Sequence, residues 1–144
     1  MINEKDVIRM KIPYPSVSDK LALSSHMYIC KTVNTTLREF VKCQRLKPYM
    51  LINGTMRHYC DEQPDITRNP FKSTTRIDCD KLFSTNSVKY DLGLRTDLRT
   101  DICQLLYNEV LRELEADGYE TININETELR NLNPLITSFV VNGN

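Results

Sequence analysis

Residues 6–12, Asp-Val-Ile-Arg-Met-Lys-Ile, alternate along the chain, with Ile8, Met10 and Ile12 on one side and Val7, Arg9 and Lys11 on the other. That period of two predicts a half-buried strand with its basic residues facing out. Pro13 and Pro15 end it, because neither can donate to a sheet ladder. Tyr14 to Ser25 is rich in Pro, Ser, Asp and Lys and reads as a long loop. Two β-leaning runs then flank the polar break Asn34-Thr35-Thr36, which predicts a hairpin over His26–Gln44. In its second arm Arg38, Phe40, Lys42 and Gln44 share one face, and Leu37, Val41 and Cys43 the other.

Further on, Tyr49–Ile52 and Thr55–Tyr59 bracket Asn53-Gly54, whose residues tolerate the positive φ of a type I′ turn, so a second hairpin is expected. Residues 61–74 read as a polar excursion, Arg76–Asp80 as a short late strand, and Ser84–Gly93 as another loop. The one strong helical stripe is Leu98, Ile102, Leu105, Leu106, Val110, Leu111 and Leu114, which predicts an amphipathic helix from about Asp97 to Ala116. Thr96 or Asp97 suits its start and Gly118 its stop. Tyr119–Ile124 reads as a short extended return, and Asn125 as the cap of a last turn or two through Leu132, before Pro134. Residues 135–144 show no period.

Several short strands closed by a helix predict a mainly β fold with α, a small curled antiparallel barrel. At 144 residues the chain is one domain by length. Apolar residues are 40% and charged residues 26%, ordinary for a soluble globular protein, and no apolar run approaches the ~18–20 residues of a membrane span. The start, Met-Ile-Asn-Glu-Lys-Asp, lacks the features of a secretory signal. Five cysteines with no close C-x-x-C pair then point to reduced thiols in the cytoplasm, and the N-x-T sequons at Asn34, Asn53 and Asn125 carry little weight. Net charge is zero but uneven. Residues 1–60 carry ten Lys/Arg against four Asp/Glu, and the remainder nine against fifteen. A basic half suits a polyanion engaged on one face, and scattered solvated lysines explain it equally well.

The motifs and their order resemble the MazF/PemK-like endoribonuclease toxins. Lys5-Asp6-Val7-Ile8 is similar to their opening strand, Pro13-Tyr14-Pro15 to its exit, and Met27-Tyr28-Ile29-Cys30 to the apolar strand after their variable loop. Thr75 to Leu82 looks like their late strand, and Leu98–Leu114 falls where the family has its C-terminal helix. The resemblance spans roughly residues 5–116. It implies an SH3-like antiparallel barrel over about 5–82, a helical part over about 95–134 with one long amphipathic helix, and metal-independent RNA cleavage to a 2′,3′-cyclic phosphate. It also implies a homodimer, an antitoxin partner, and neither cofactor nor membrane. Two positions depart from the family pattern. Ser25-His26 stands where the family usually has Arg-Pro, and Cys43-Gln44-Arg45 where it has a Thr or Ser at the scissile phosphate.

Such a reaction needs a base, an acid and donors for the phosphorane charge. His26, one of two histidines, has the titration range for proton transfer, so His26, Gln44 and Lys20 are the candidate catalytic residues. Arg45, Lys47 and Lys42 are candidate phosphate contacts, with Phe40 and Tyr14 as stacking surfaces for bases. The plainer reading is that His26 merely opens a strand, the cations are surface charges, and the aromatics are core. His58 is adequately explained as an outward residue of a hairpin arm. The cysteine and histidine spacing offers no zinc pattern and there is no Gly-rich phosphate loop. Endoribonuclease is thus the leading expectation. The alternative is a non-catalytic nucleic-acid- or protein-binding module on the same scaffold, of phage or mobile-element origin.

Overall fold

The computed structural model describes residues 1–52 and 58–139. Its elements in chain order are β1 (Val7–Met10), α1 (Lys20–Leu23), β2 (His26–Asn34), β3 (Leu37–Arg45), α2 (Pro48–Ile52), β4 (Tyr59–Glu62), β5 (Thr75–Asp78), β6 (Lys81–Thr85), β7 (Val88–Tyr90), α3 (Gln104–Asp117), β8 (Glu120–Asn123), α4 (Glu126–Leu132) and β9 (Ile136–Ser138). The fold is mainly β with helices and its sheet is largely antiparallel.

The β2–β3 hairpin is the centre of the sheet. Met27 pairs with Cys43 and Cys30 with Phe40, and the register slips by one residue between Cys30 and Thr32. Thr35 closes the turn with φ of 53°, a left-handed position in the polar break. The far side of β3 serves two strands in succession. Its end at Cys43–Arg45 pairs with β5, and Arg38–Phe40 pairs with β6. Between β5 and β6 the chain kinks at Cys79-Asp80, where Asp80 N donates to Asp78 Oδ1 at 2.8 Å. Beyond the kink the sheet forks, since β5 goes on to pair with β4 and β6 pairs in parallel with β8.

Both faces of this sheet are buried. On one, Val7, Ile29, Val41, Cys43, Ile77 and Leu82 pack under Leu106, Val110 and Leu114 of α3. On the other, Ile8, Met10, Tyr28, Phe40 and Phe83 meet the small β7–β9 ribbon through Val88, Tyr90 and Ile136, and α4 through Leu129. Val7 is therefore fully buried rather than facing out, because α3 covers the side that alternation alone assigns to solvent.

Five further expectations are corrected, the first being that Tyr14–Ser25 is all loop, since Lys20–Leu23 forms the short helix α1. The sheet is not a closed barrel. The outer edge of β1 is covered by irregular chain, through Val7 N to Thr100 O at 2.9 Å, Thr96 N to Val7 O at 3.0 Å and Ile102 N to Lys5 O at 3.0 Å. That same segment displaces the start of the helix. Residues 97–103 run along β1, Cys103 Sγ caps α3 by accepting from Leu106 N, and Leu98 and Leu105 are 59% and 61% exposed, off the buried stripe. Tyr49–Ile52 is a helical turn and not a strand. Pro48 is preset for a first helical position, and of the apolar run only Met50 is buried, as a turn allows. The Asn53-Gly54 turn expected there lies outside the described residues. Ser84–Gly93 is not one loop, because Ser84 and Thr85 complete β6 and a second strand follows at Val88–Tyr90. Thr85 Oγ1 is buried there against Tyr90 Oη at 2.7 Å.

Three local expectations hold. Gly118, with φ of 78°, stops α3, Tyr119–Ile124 contains β8, and Asn125 caps α4 by accepting from Glu128 N at 3.1 Å. The five cysteines are free thiols, and no described helix is long and apolar enough to cross a membrane.

Candidate functional site

Alternation puts His26 and Tyr28 of β2 on the same sheet face as Phe40, Lys42 and Gln44 of β3. The β7–β9 ribbon and α4 cover this face at its Phe40 end but stop short of Lys42 and Gln44. Two short pieces wall the uncovered end. The loop after β1 is tied back by Ile12 N to Leu21 O at 2.7 Å, which stations Lys20 and Leu21 beside the strands. On the opposite side α2 is anchored by Arg76, whose Nη1 donates to Met50 O at 3.3 Å. Arg76 itself is held bidentate by Asp61 at 2.7 and 2.8 Å, and its guanidinium lies 3.6 Å from the centre of the Tyr59 ring.

The result is a cleft of about 480 Å³ lined by Lys20, Leu21, His26, Lys42, Gln44, Arg45, Lys47 and Tyr49. A second cleft of about 230 Å³ shares His26, Gln44 and Arg45 with it and adds Arg9, Lys72, Ser73 and Thr75. Among the described residues six cations line the two clefts and no carboxylate does. Among the described residues Lys20, Lys42, Arg45 and Lys47 make no ion pair, so the positive potential is available to a ligand.

His26 sits where the clefts meet. Its Nδ1 lies 3.1 Å from Ser24 O, and because a carbonyl only accepts, Nδ1 carries the proton and Nε2 keeps its lone pair. Partial burial pushes the imidazole below its usual range. The Ser24 carbonyl opposes this, and Lys42, Lys47 and Lys20 add to it. The ring is therefore held neutral as a proton acceptor near neutral pH. Burial also lowers Lys42, against the pull of Asp78, so its ammonium gives up a proton more readily than an ordinary lysine. Burial raises the Asp78 carboxyl in turn. Gln44 Nε2 reaches Met50 Sδ at 3.8 Å, a weak tie that sets the amide toward α2.

The structure thus gathers His26, Gln44, Lys20, Lys42, Arg45 and Lys47 at one place. It does not bring Phe40 or Tyr14 there. Phe40 is fully buried with its ring 4.9 Å from that of Tyr90, so it presents no face to a base. Tyr14 is half-buried edge-on to Phe83 at 5.6 Å and lines neither cleft. The aromatic that does line the cleft is Tyr49, 54% exposed, which a strand assignment had hidden. Arg9 and Lys72 join from segments distant in sequence. Arg9 was legible as an outward strand residue, and nothing near Lys72 signalled its part.

His58 bonds Glu113 Oε1 through Nδ1 at 3.0 Å, on the α3 side of the sheet, which gives it a structural place away from the clefts. Among the described residues no group of three or more His, Cys, Asp or Glu is arranged to hold a metal ion. Comparison with models of protein families, with curated proteins and with solved structures finds no match to this chain.

Proposed function

We propose that the chain binds RNA across the two clefts and cleaves it without a metal, by attack of a 2′-hydroxyl on the adjacent phosphorus. One observation carries this reading. Among the described residues, a neutral histidine with its Nε2 lone pair unengaged stands at the junction of two clefts lined by six cations and no carboxylate. His26 Nε2 takes the 2′-hydroxyl proton, and the 2′-oxygen bonds to phosphorus. The bond from phosphorus to the 5′-oxygen breaks, and Lys42 supplies the proton that oxygen needs. Lys20, Gln44, Arg45 and Lys47 hold the non-bridging oxygens as charge builds on them. The products are a 2′,3′-cyclic phosphate and a 5′-hydroxyl. Tyr49 offers a base the exposed ring that Phe40 and Tyr14 do not.

The MazF/PemK-like resemblance belongs to the same proposal, with a partly open relative of the SH3-like barrel, a homodimer, an antitoxin partner and a cytoplasmic setting. The test is short RNA incubated in chelator with wild-type protein and with His26→Ala. Cleavage by neither sinks the nuclease, and equal cleavage by both sinks His26 as the base. A second reading, a non-catalytic RNA- or protein-binding module, is favoured by Ser25 and Cys43–Arg45 standing where that family keeps its catalytic residues. Retarded RNA migration with no cleavage by the wild-type chain would select it.

A further inference from the structure

Arg38 lies on the same face of β3 as the proposed site but at its covered end, and it is 2% exposed. A buried guanidinium normally has a carboxylate beside it, because an uncompensated charge away from water is costly. Arg76, also 2% exposed, meets that rule with Asp61 and the Tyr59 ring. Arg38 does not. Among the described residues its side-chain hydrogen bonds come from Nη1 alone, to Thr35 O and Leu37 O, both at 2.9 Å, and no carboxylate is within ion-pair distance of it. Its Nε and Nη2 have no hydrogen-bond partner among the described residues, and they are not among the buried polar atoms sealed off without one. Arg38 lines a cavity.

That cavity has a volume of about 440 Å³, and Arg38 forms part of its wall together with Ile2, Val88, Tyr90, Leu92 and Phe139. The Tyr90 hydroxyl is already engaged by Thr85. The one carboxylate on the lining, Asp91, is turned to Gly93 N, with Oδ1 at 2.7 Å. Largely apolar walls with few charged donors, here the buried Arg38 guanidinium and the exposed Lys89 ammonium, are at this size the usual make-up of a small-molecule site. We propose that the cavity binds a small amphipathic carboxylate. Its anionic head takes the Nε and Nη2 donors of Arg38, and its apolar body lies between Ile2, Val88, Leu92 and Phe139. A planar carboxylate matches the two-donor edge of a guanidinium. The site is separate from the His26 clefts, and it stands or falls independently of the nuclease reading.

Calorimetric titration of the full chain with octanoate and with octan-1-ol tests it. The wild type is expected to bind octanoate at least tenfold more tightly than the alcohol. Arg38→Met should erase that preference, and Leu92→Trp, which fills the cavity from its partly exposed rim, should remove binding of both. Thermal melts check that each variant folds. If Arg38→Met does not fold, Leu92→Trp carries the test alone. Equal binding of acid and alcohol by the wild type, binding of neither, or octanoate affinity unchanged in Leu92→Trp would each overturn the proposal.

Discussion

The two ends of one face of β3 make an instructive pair. Arg38 and Phe40 at one end, and Lys42 and Gln44 at the other, follow a single alternation and alternate a cation with an uncharged side chain. The first end is roofed by the β7–β9 ribbon and α4, so Phe40 becomes core and Arg38 a buried cation beside a largely apolar cavity. Among the described residues the second end has α1 and α2 at its sides, and its cations line an open cleft with His26. The difference comes from the kink at Cys79-Asp80. It sends β6 to one end of β3 and β5 to the other, each with different neighbours. In solvent an unpaired cation is screened and serves a mobile anion, and under a roof it requires a specific one.

The largest effect expected is on chemistry at the open end. His26→Ala should reduce RNA cleavage by about 10²–10⁴-fold with RNA binding retained, read from single-turnover rates and gel retardation. Undiminished cleavage would remove the functional half of the comparison. At the roofed end, Phe40→Ala should destabilise the fold by about 3–5 kcal/mol. Lys42→Met, two residues along the same face, should leave stability within about 1 kcal/mol, since it exchanges a desolvated cation for an apolar chain. Urea denaturation of both variants decides this, and equal losses would show that the two ends do not differ in packing.

The pH dependence of cleavage sharpens the open end further. His26 must be neutral to accept a proton, and its folded pKa lies below the ordinary 6.5, so the acid limb of the rate profile should have its midpoint below pH 6.5. Below that midpoint the rate falls about tenfold per pH unit. The alkaline limb, where Lys42 loses its proton, should fall below the usual 10.5. An acid limb centred above pH 6.5 would contradict an imidazole held neutral by burial and lysines.

The smallest effect concerns the strand between the two ends. Tyr28 is fully buried, and its hydroxyl has no hydrogen-bond partner among the described residues. Tyr28→Phe should therefore raise stability, by about 1 kcal/mol, seen as a higher denaturation midpoint with an unchanged slope. A loss of stability would mean that the hydroxyl is satisfied after all.

Local chemistry written in the sequence was enough for the elements that depend on neighbours in the chain. Alternation over residues 26–44 and the Asn34-Thr35-Thr36 break made the central hairpin legible, and Gly118 and Asn125 marked a helix stop and a helix start. The cluster of His26, Lys42, Gln44, Arg45 and Lys47 was readable because both arms of one hairpin, and the residues just past it, meet at one end. What depended on distant segments was not readable. The roof over Phe40 comes from residues 88–90, 129 and 136, and the cover over Val7 from α3, so a face that alternation leaves ambiguous was decided by what packs on it. Residues 97–103 carry a helical spacing, yet they run along β1 because that edge needs hydrogen-bond partners. Sequence by itself determined which residues alternate, turn and cap, and so where the hairpin and its basic end lie. Only the tertiary structure decided which of its cations line an open cleft and which is buried with no counterion among the described residues, because burial is settled by segments that meet only on folding.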